Sequence, residues 1–409
     1  MARDDIRMNA GPDPLIILDI SRLISAAGAA APTGVDRVEM AYARALLRLA
    51  PARVRFATVR PPGLPMRLDS EAVRGFLDAL SRRWEVGGAG SSLAVWSAVA
   101  RLVRGAWRER PQPQREAVYV IASHRHLDRE ALVRRIVRAE RARLVALVHD
   151  LIPIETPEYA RASSAVRHAR RIRTLSRCAD GIVTVSEATR ARLTPHLTQA
   201  RRPIAVRVAH LGLDPNPAVA PAGRAPPKPY FVVLGTIEPR KNHLLLLNLW
   251  RAMAQALGPE ATPDLHVLGR RGWENENIVD MLERCPPLQG LVHERSKAPD
   301  VQVRRLIAGA RAVLMPSFAE GFGLPVAEAM QLGTPVICSD IPALREAGQD
   351  IAEYLDPLDG PAWREAVLDY ARDGSVRRAA QIDRIRNWRP PLWDEHIEVL
   401  LDLAQTVSA

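Results

Sequence analysis

Short apolar runs recur along this chain at strand length, and stretches of helical periodicity separate them. In the first half the runs are Leu15–Ile20, Val54–Val59, Val118–Ala122, Leu144–Val148, Ile182–Val185 and Ile204–Val208. In the second half they are Tyr230–Leu234, Leu265–Leu268, Ala312–Met315, Pro335–Cys338 and Ala352–Leu355. Continuous apolar runs of this length suit strands buried on both faces. Helix-length segments between them give βαβ units and hence parallel sheets. The 409 residues exceed one ordinary core, so two domains are expected. Asp214-Pro215-Asn216-Pro217 and Ala220–Pro229 hold proline at six positions and suit neither helix nor strand. The expected division is an N-terminal domain over 1–214, a linker over 215–229, a C-terminal domain over 230–385 and a terminal segment over 386–409.

Composition narrows the function. The apolar content of 47% is that of a globular protein, and no run of 18 apolar residues suggests a spanning helix. Met1-Ala2-Arg3-Asp4-Asp5 opens without the apolar stretch of a secretory signal, so a cytoplasmic location is expected. Cys178, Cys285 and Cys338 are too widely spaced for a zinc site or a disulfide framework and read as small core residues. The net charge of +11 admits nucleic acid, an anionic membrane or phosphorylated substrates as partners. Only three of the 57 basic residues are lysines, Lys228, Lys241 and Lys297, so much of the arginine reflects compositional bias. No basic tail, RNP-like segment or zinc-finger spacing is present, and nucleic acid is not expected as a partner.

Residues 94–109 depart from the pattern. Trp96, Val99, Val103 and Trp107 fall near one helical face, with Arg101, Arg104 and Arg108 towards the other. Two readings compete: a surface helix packed by its apolar side with arginines in water, or a helix that touches an anionic membrane peripherally, at the inner face of the plasma membrane.

The densest chemistry lies in Met315-Pro-Ser-Phe-Ala-Glu320-Gly-Phe-Gly-Leu-Pro325-Val-Ala-Glu328-Ala-Met330. A strand runs into a loop and the loop into a helix, with Pro325 in the first helical turn. Gly321 and Gly323 leave the backbone bare, so a phosphate can approach free N–H groups and the positive end of the helix. Glu320 sits at the carboxyl end of a strand, where open α/β sheets bind ligands. Glu328, one turn into the helix, can accept hydrogen bonds from a hydroxyl pair such as a ribose diol.

Glu-x7-Glu enclosing Gly321-Phe322-Gly323-Leu324-Pro325 resembles the retaining glycosyltransferases of the GT-B fold, family GT4, the group that includes bacterial mannosyltransferases. Gly333-Thr334-Pro335-Val336 and Ser339-Asp340-Ile341-Pro342 are similar to that family too. So is Gly235-Thr236-Ile237-Glu238-Pro239-Arg240-Lys241-Asn242, which follows the first strand of the C-terminal domain. There Gly235 permits a tight turn, and Arg240 and Lys241 are adjacent cations suited to a departing diphosphate. His149-Asp150-Leu151-Ile152-Pro153 resembles the same family. The resemblance implies that His149 contacts the donor sugar, while Asp150 orients it or meets the acceptor. Thr33-Gly34-Val35-Asp36-Arg37-Val38 matches the family's first βα turn, with Thr33 as a helix cap and Gly34 and Arg37 near ligand. Val185-Ser186-Glu187 and Leu211-Gly212-Leu213-Asp214 look like further family turns, and His124 is a candidate on the acceptor side.

The resemblance implies two Rossmann-like domains facing across a cleft, with donor bound by the second, acceptor by the first, and a final helix over 394–405 crossing back to the first. It implies transfer with retention of anomeric configuration, Glu320 serving the reacting sugar and Glu328 the nucleotide. No DxD-type motif anchors a metal, so no cofactor beyond the nucleotide-sugar co-substrate is expected. The family strings lean towards GDP-mannose as donor and a saccharide or lipid-linked saccharide as acceptor in bacterial polysaccharide synthesis. A sugar-nucleotide epimerase of similar fold and a non-catalytic sugar-nucleotide-binding protein are the alternatives.

Overall fold

The computed structural model describes residues 13–29, 31–60, 63–86, 90–107, 116–198, 200, 202–215, 228–296 and 298–409. They form two compact units. One comprises the chain up to Leu151, Val166–Gly212 and Pro391–Ala409; the other comprises Ile152–Ala165 and Leu213–Pro390. Most of the expected 215–229 linker lies outside the described residues.

The first unit is built on a seven-stranded sheet. Its strands are β1 (Leu15–Asp19), β2 (Val54–Arg60), β3 (Leu64–Leu68), β4 (Ala117–Ile121), β5 (Ala142–Val148), β6 (Gly181–Thr184) and β7 (Ala205–Val208), in the order β3-β2-β1-β4-β5-β6-β7. All neighbours are parallel except β2 and β3. Strand β3 is absent from the sequence expectation. It carries Pro65 and Arg67 and lies at the sheet edge, where a proline's missing N–H can be tolerated. Helices α1 (Ser21–Ala26), α2 (Gly34–Leu49), α3 (Ser70–Val86) and α4 (Gly90–Arg104) lie in the first half of this unit.

The helix Trp393–Ser408 belongs to this same unit. Its Ile397, Leu400 and Leu403 are buried, and His396 Nε2 lies 2.6 Å from the Tyr42 hydroxyl on α2. Gly181 and Gly212 are required where the returning segment passes. A Cβ on Gly181 would lie 3.1 Å from Leu403, and one on Gly212 would lie 2.1 Å from the Trp393 nitrogen.

The second unit holds an all-parallel sheet of six strands. They are β8 (Tyr230–Leu234), β9 (Asp264–Leu268), β10 (Val292–Arg295), β11 (Val313–Met315), β12 (Val336–Ser339) and β13 (Glu353–Leu355), ordered β10-β9-β8-β11-β12-β13. Strand β10, Val-His-Glu-Arg, lacks an apolar run because it is an edge strand with half-buried side chains. Phe231, Val233, Leu314 and Ile337 from the sheet meet Trp250 and Trp363 from helices in one core. Both indoles are satisfied, Trp250 by the Pro263 carbonyl at 2.7 Å and Trp363 by the Asp356 carbonyl at 2.9 Å.

In both sheets the strand order reverses beside the first strand: between β1 and β4, and between β8 and β11. Open α/β sheets bind ligands outside the carboxyl ends at such points.

Candidate functional site

At the reversal in the second sheet, two loops converge. One leaves β8 at Leu234. Gly235 turns with φ +137°, and a Cβ there would press on the Lys241 side chain at 3.1 Å. Gly269, at the end of neighbouring β9, is needed for the same turn, since its Cβ would fall 1.8 Å from the Gly235 carbonyl oxygen. The chain then buries Ile237 and Glu238 and turns through Pro239–Lys241, and Asn242 adopts a left-handed conformation at φ 54°. The Asn242 side chain is tied to the Pro357 carbonyl at 2.9 Å.

The other loop leaves β11 at Met315 and carries Ser317-Phe318-Ala319-Glu320. The Phe318 N–H donates to the Arg240 carbonyl at 2.9 Å, which docks one loop on the other. Arg240 Nη1 then donates to Glu320 Oε2 at 2.8 Å and to the Ala319 carbonyl at 2.7 Å, while Lys241 Nζ lies 2.5 Å from Glu320 Oε1. Glu238 holds the other side of Arg240, its Oε1 lying 2.6 Å from Nη2 and 3.0 Å from Nε. Burial opposes ionisation of Glu320, but Arg240 and Lys241 outweigh it and bring its carboxyl down to about 2. Burial also raises the Glu238 carboxyl, which Arg240 counters. Two cations and two carboxylates thus share one largely buried cluster. Glu238 stands in the same motif without a role legible in the sequence; its place beside Arg240 depends on a local turn that residue type alone does not reveal.

Beyond Glu320, Gly323 caps the helix Leu324–Gln331 at φ +109°. A Cβ there would meet Leu344 at 2.5 Å, so the glycine answers both to its backbone and to its neighbour. Phe322 is buried, Gly321 and Leu324 are half-buried, and Val326, Ala327, Ala329 and Met330 face the core. Glu328 sits half-buried on the remaining face, and Thr236 is half-buried in the β8 loop. Segment Ile152–Ala165 attaches here as well. Tyr159 stacks on Phe318 with ring centroids 5.3 Å apart and planes within 5°, and Arg161 lies over the Trp273 ring at 4.9 Å. The chain that directly follows His149-Asp150-Leu151 therefore packs on the loop that carries Glu320, an attachment not foreseen from the sequence.

The first unit has a polar cluster of its own at the carboxyl ends of β1, β4 and β5. Asp19 accepts from the Tyr119 hydroxyl and from the Ser21 N–H, both at 2.8 Å. Glu39 on α2 is fully buried and accepts from the Leu23 N–H at 3.0 Å; burial first, then Asp19, pushes its carboxyl up to about 8. His149 Nε2 lies 2.9 Å from the Ala122 carbonyl, which can only accept, so this nitrogen carries the proton. Burial lowers the His149 pKa and keeps the ring neutral, which leaves Nδ1 as its acceptor nitrogen. His124 packs edge-on against His149 and His168, and burial lowers the pKa of His124 and of His168 as well. His168 Nε2 lies 3.0 Å from the carbonyl of half-buried Asp150.

Thr33 caps α2 as expected, in a capping box with Asp36, and Arg22 fastens both through contacts of 3.0 and 2.7 Å. Gly34 opens α2, and a Cβ added to it would meet no protein atom within 4 Å, so packing does not demand the glycine there. Arg37 is half-buried one turn on. Ser186 proves to be a fully buried helix cap. Its hydroxyl accepts from the Thr189 N–H at 3.0 Å and donates to Thr189 Oγ1 at 2.9 Å, at the start of the helix Glu187–Leu197. Among the described residues no group of three or more His, Cys, Asp or Glu side chains is arranged to hold a metal ion.

A family model described as Family 4 Glycosyltransferase in conflict systems matches residues 98–387. O-antigen chain mannosyltransferase B of Escherichia coli is 36% identical over 151 residues, 37% of this chain and 39% of that protein. The serotype-specific mannosyltransferase WbdA of Escherichia coli is 29% identical over 288 residues, 65% of this chain and 34% of that protein. The chain thus spans between a third and two fifths of the length of these curated relatives. Among solved structures it is similar to sucrose-phosphate synthase from Thermosynechococcus elongatus, with TM-score 0.63 and 16% identity over 96% of this chain and 99% of that one. It is also similar to Anabaena HepE in complex with UDP-glucose, with TM-score 0.61 and 14% identity over 97% and 99%. These likenesses establish the GT-B fold.

Proposed function

This chain belongs to the family 4 glycosyltransferases of conflict systems, and from that membership we propose that it transfers a sugar from a nucleoside-diphosphate donor to a saccharide or lipid-linked saccharide in bacterial polysaccharide synthesis. The observation that carries the reading is the convergence of Arg240 and Lys241 on Glu320 at the switch point of the second sheet. Breaking a glycosidic bond to a diphosphate builds negative charge on the leaving oxygen. Two fixed cations in a buried setting stabilise that charge without any reorganisation of solvent. Glu320, ionised and gripped by both, keeps the cations in place before substrate arrives. Its oxygens then face the reacting sugar once the diphosphate takes over part of the cations' charge. Glu328, half-buried at the next helix, would accept hydrogen bonds from the ribose diol.

The donor we favour is GDP-mannose, because the two relatives described above are named mannosyltransferases. Transfer would retain anomeric configuration and need no metal, since Arg240 and Lys241 supply the positive charge at the leaving group. In the first unit, His149 presents Nδ1 to accept from a sugar hydroxyl. A cytoplasmic enzyme working on lipid-linked acceptors at the inner membrane face fits the net charge of +11.

The test is to incubate the protein with a panel of nucleotide sugars and lipid-linked and free saccharide acceptors, with and without EDTA. Transfer from GDP-mannose, insensitive to EDTA, with an α-linked product, is the expected result. Interconversion of the free sugar nucleotide would replace this reading with an epimerase, and tight binding without turnover would replace it with a binding protein.

A further inference from the structure

Helix α4 turns an apolar side outward. It packs on the first unit through Val95, Ala98 and Leu102, all buried. Leu93 is 78% exposed, Trp96 53% and Val103 41%, and Trp107, just past the helix, is 43% exposed. These four are nearly half of the nine large hydrophobic side chains exposed among the described residues, gathered within fifteen positions. Leu93, Trp96, Ala100 and Val103 follow the three-and-four spacing of one helical stripe. Beside it runs a second outward stripe, Ala94, Ser97, Arg101 and Arg104, and no residue of α4 is acidic. The sequence left open whether the tryptophans pack inward with the arginines in water. In the structure the packing falls to a third stripe, and tryptophans and arginines face outward together.

The end of the helix passes the carboxyl end of β2 and the outer side of edge strand β3. Arg60, at the end of β2, donates to the Val103 carbonyl, and Trp107 bridges Arg67 on β3. The Trp96 ring passes 3.5 Å from where a Gly28 Cβ would stand, in the loop that leads to Thr33 and Gly34. Arg83 of α3 donates to the Gly28 carbonyl at 3.0 Å and adds a cation at the same corner.

We infer that the outward face of α4, with Trp96, Val103, Trp107, Arg101 and Arg104, docks the first unit on an anionic lipid surface. Tryptophan favours the headgroup boundary, where its ring is apolar and its N–H is wet. Arginine stems can lie along the apolar stripe while their guanidinium groups reach lipid phosphates. Charge selects this occupant: α4 offers cations and no acidic residue, which matches an anionic bilayer and opposes a second copy of the same helix. Docking there would set the carboxyl end of β2 and the Gly28 loop close to the membrane, where the lipid-linked acceptor of the proposed function would reside.

Vesicle binding is read without turnover, so this inference and the proposed activity fail separately. The full chain is mixed with vesicles of phosphatidylglycerol and phosphatidylcholine, or phosphatidylcholine alone, and the bound fraction is measured by flotation. Binding is expected to the anionic vesicles only and to weaken with salt. W96A/W107A should reduce the partition coefficient by roughly tenfold or more. R101Q/R104Q should reduce it about fivefold per arginine and remove the dependence on phosphatidylglycerol. Unchanged melting temperatures check that these surface variants fold. Equal binding by wild type and W96A/W107A, or equal binding to both vesicle types, would overturn the inference. So would sedimentation showing that wild type self-associates through this face and that W96A/W107A does not.

Discussion

The Lys241 ammonium lies 2.5 Å from Glu320, which is 79 residues further along the chain and on a different strand-end loop. Arg240 completes the grip from the other oxygen at 2.8 Å. Because the three groups are buried together, each depends on the others for its charge. Lys241→Ala and Glu320→Gln should each lower kcat by about 10²–10³-fold, the usual effect of removing one preorganised charge-stabilising group. Each leaves an uncompensated buried charge and should destabilise the protein by about 3 kcal/mol, without unfolding it. Steady-state kinetics with the preferred donor and a denaturant titration measure both effects; rates within a factor of three of wild type in both variants would remove the pair from the chemistry.

The same cluster sets a pH dependence. Glu320 titrates at about 2 in the folded protein and at about 4.3 when unfolded. A carboxyl whose folded pKa is depressed gives stability that is complete above the unfolded value and is lost as pH falls through the folded one. Its contribution, on the order of 3 kcal/mol, should therefore disappear between about pH 4.3 and 2. Denaturant midpoints across that window should fall more steeply for wild type than for Glu320→Gln; parallel curves would show that the carboxylate is not held by its cations.

Tyr159 and Phe318 give a prediction that concerns packing. Their stacked rings attach segment 152–165 to the loop bearing Glu320. Tyr159→Phe should be close to neutral, whereas Tyr159→Ala should cost about 0.5–1.5 kcal/mol beyond the buried area lost. Since Phe318 is two residues from Glu320, Tyr159→Ala should also lower kcat while Tyr159→Phe leaves it intact. A kcat equal in both variants would limit the stack to stability.

Gly269 carries no chemistry, yet a methyl group there would strike the Gly235 carbonyl oxygen at 1.8 Å. Backbone cannot move aside as a side chain can. Gly269→Ala should cost at least about 1–3 kcal/mol and displace the turn that sets Lys241. Gly290→Ala, whose added methyl meets nothing, carries only the strain of its positive φ and should cost only about 1 kcal/mol. Thermal melts of the two variants test the ordering.

The buried strands were legible in the sequence because both faces of a central parallel strand must be apolar, as in Phe-Val-Val at 231–233 or Val-Leu-Met at 313–315. Strands β3 and β10 were not, because an edge strand can carry proline, histidine and charge without losing core contacts. Glu320, Arg240 and Lys241 were legible because their neighbours fix a strand-loop-glycine-helix grammar around them. Glu238 and Gly269 were hidden, since their roles come from the turn each one meets in space. The attachment of Ile152–Ala165 to the second unit was hidden for a similar reason: nothing local in Tyr159 points to Phe318. On α4 the sequence supplied the amphipathic content, but only the packing of Val95, Ala98 and Leu102 decided which stripe faces out.

The helix Trp393–Ser408 supplies Leu400 and Leu403 to the interior of the first unit, against strands made far earlier in the chain. During synthesis, then, the first-made sheet waits with part of one face, over β4–β7, uncovered. The second unit has its own closed core by Pro390, and can finish before its predecessor does. Translation that stalls between Pro390 and Leu403 would release a chain whose second unit is complete and whose first sheet still shows bare apolar surface, the kind of species that chaperones bind.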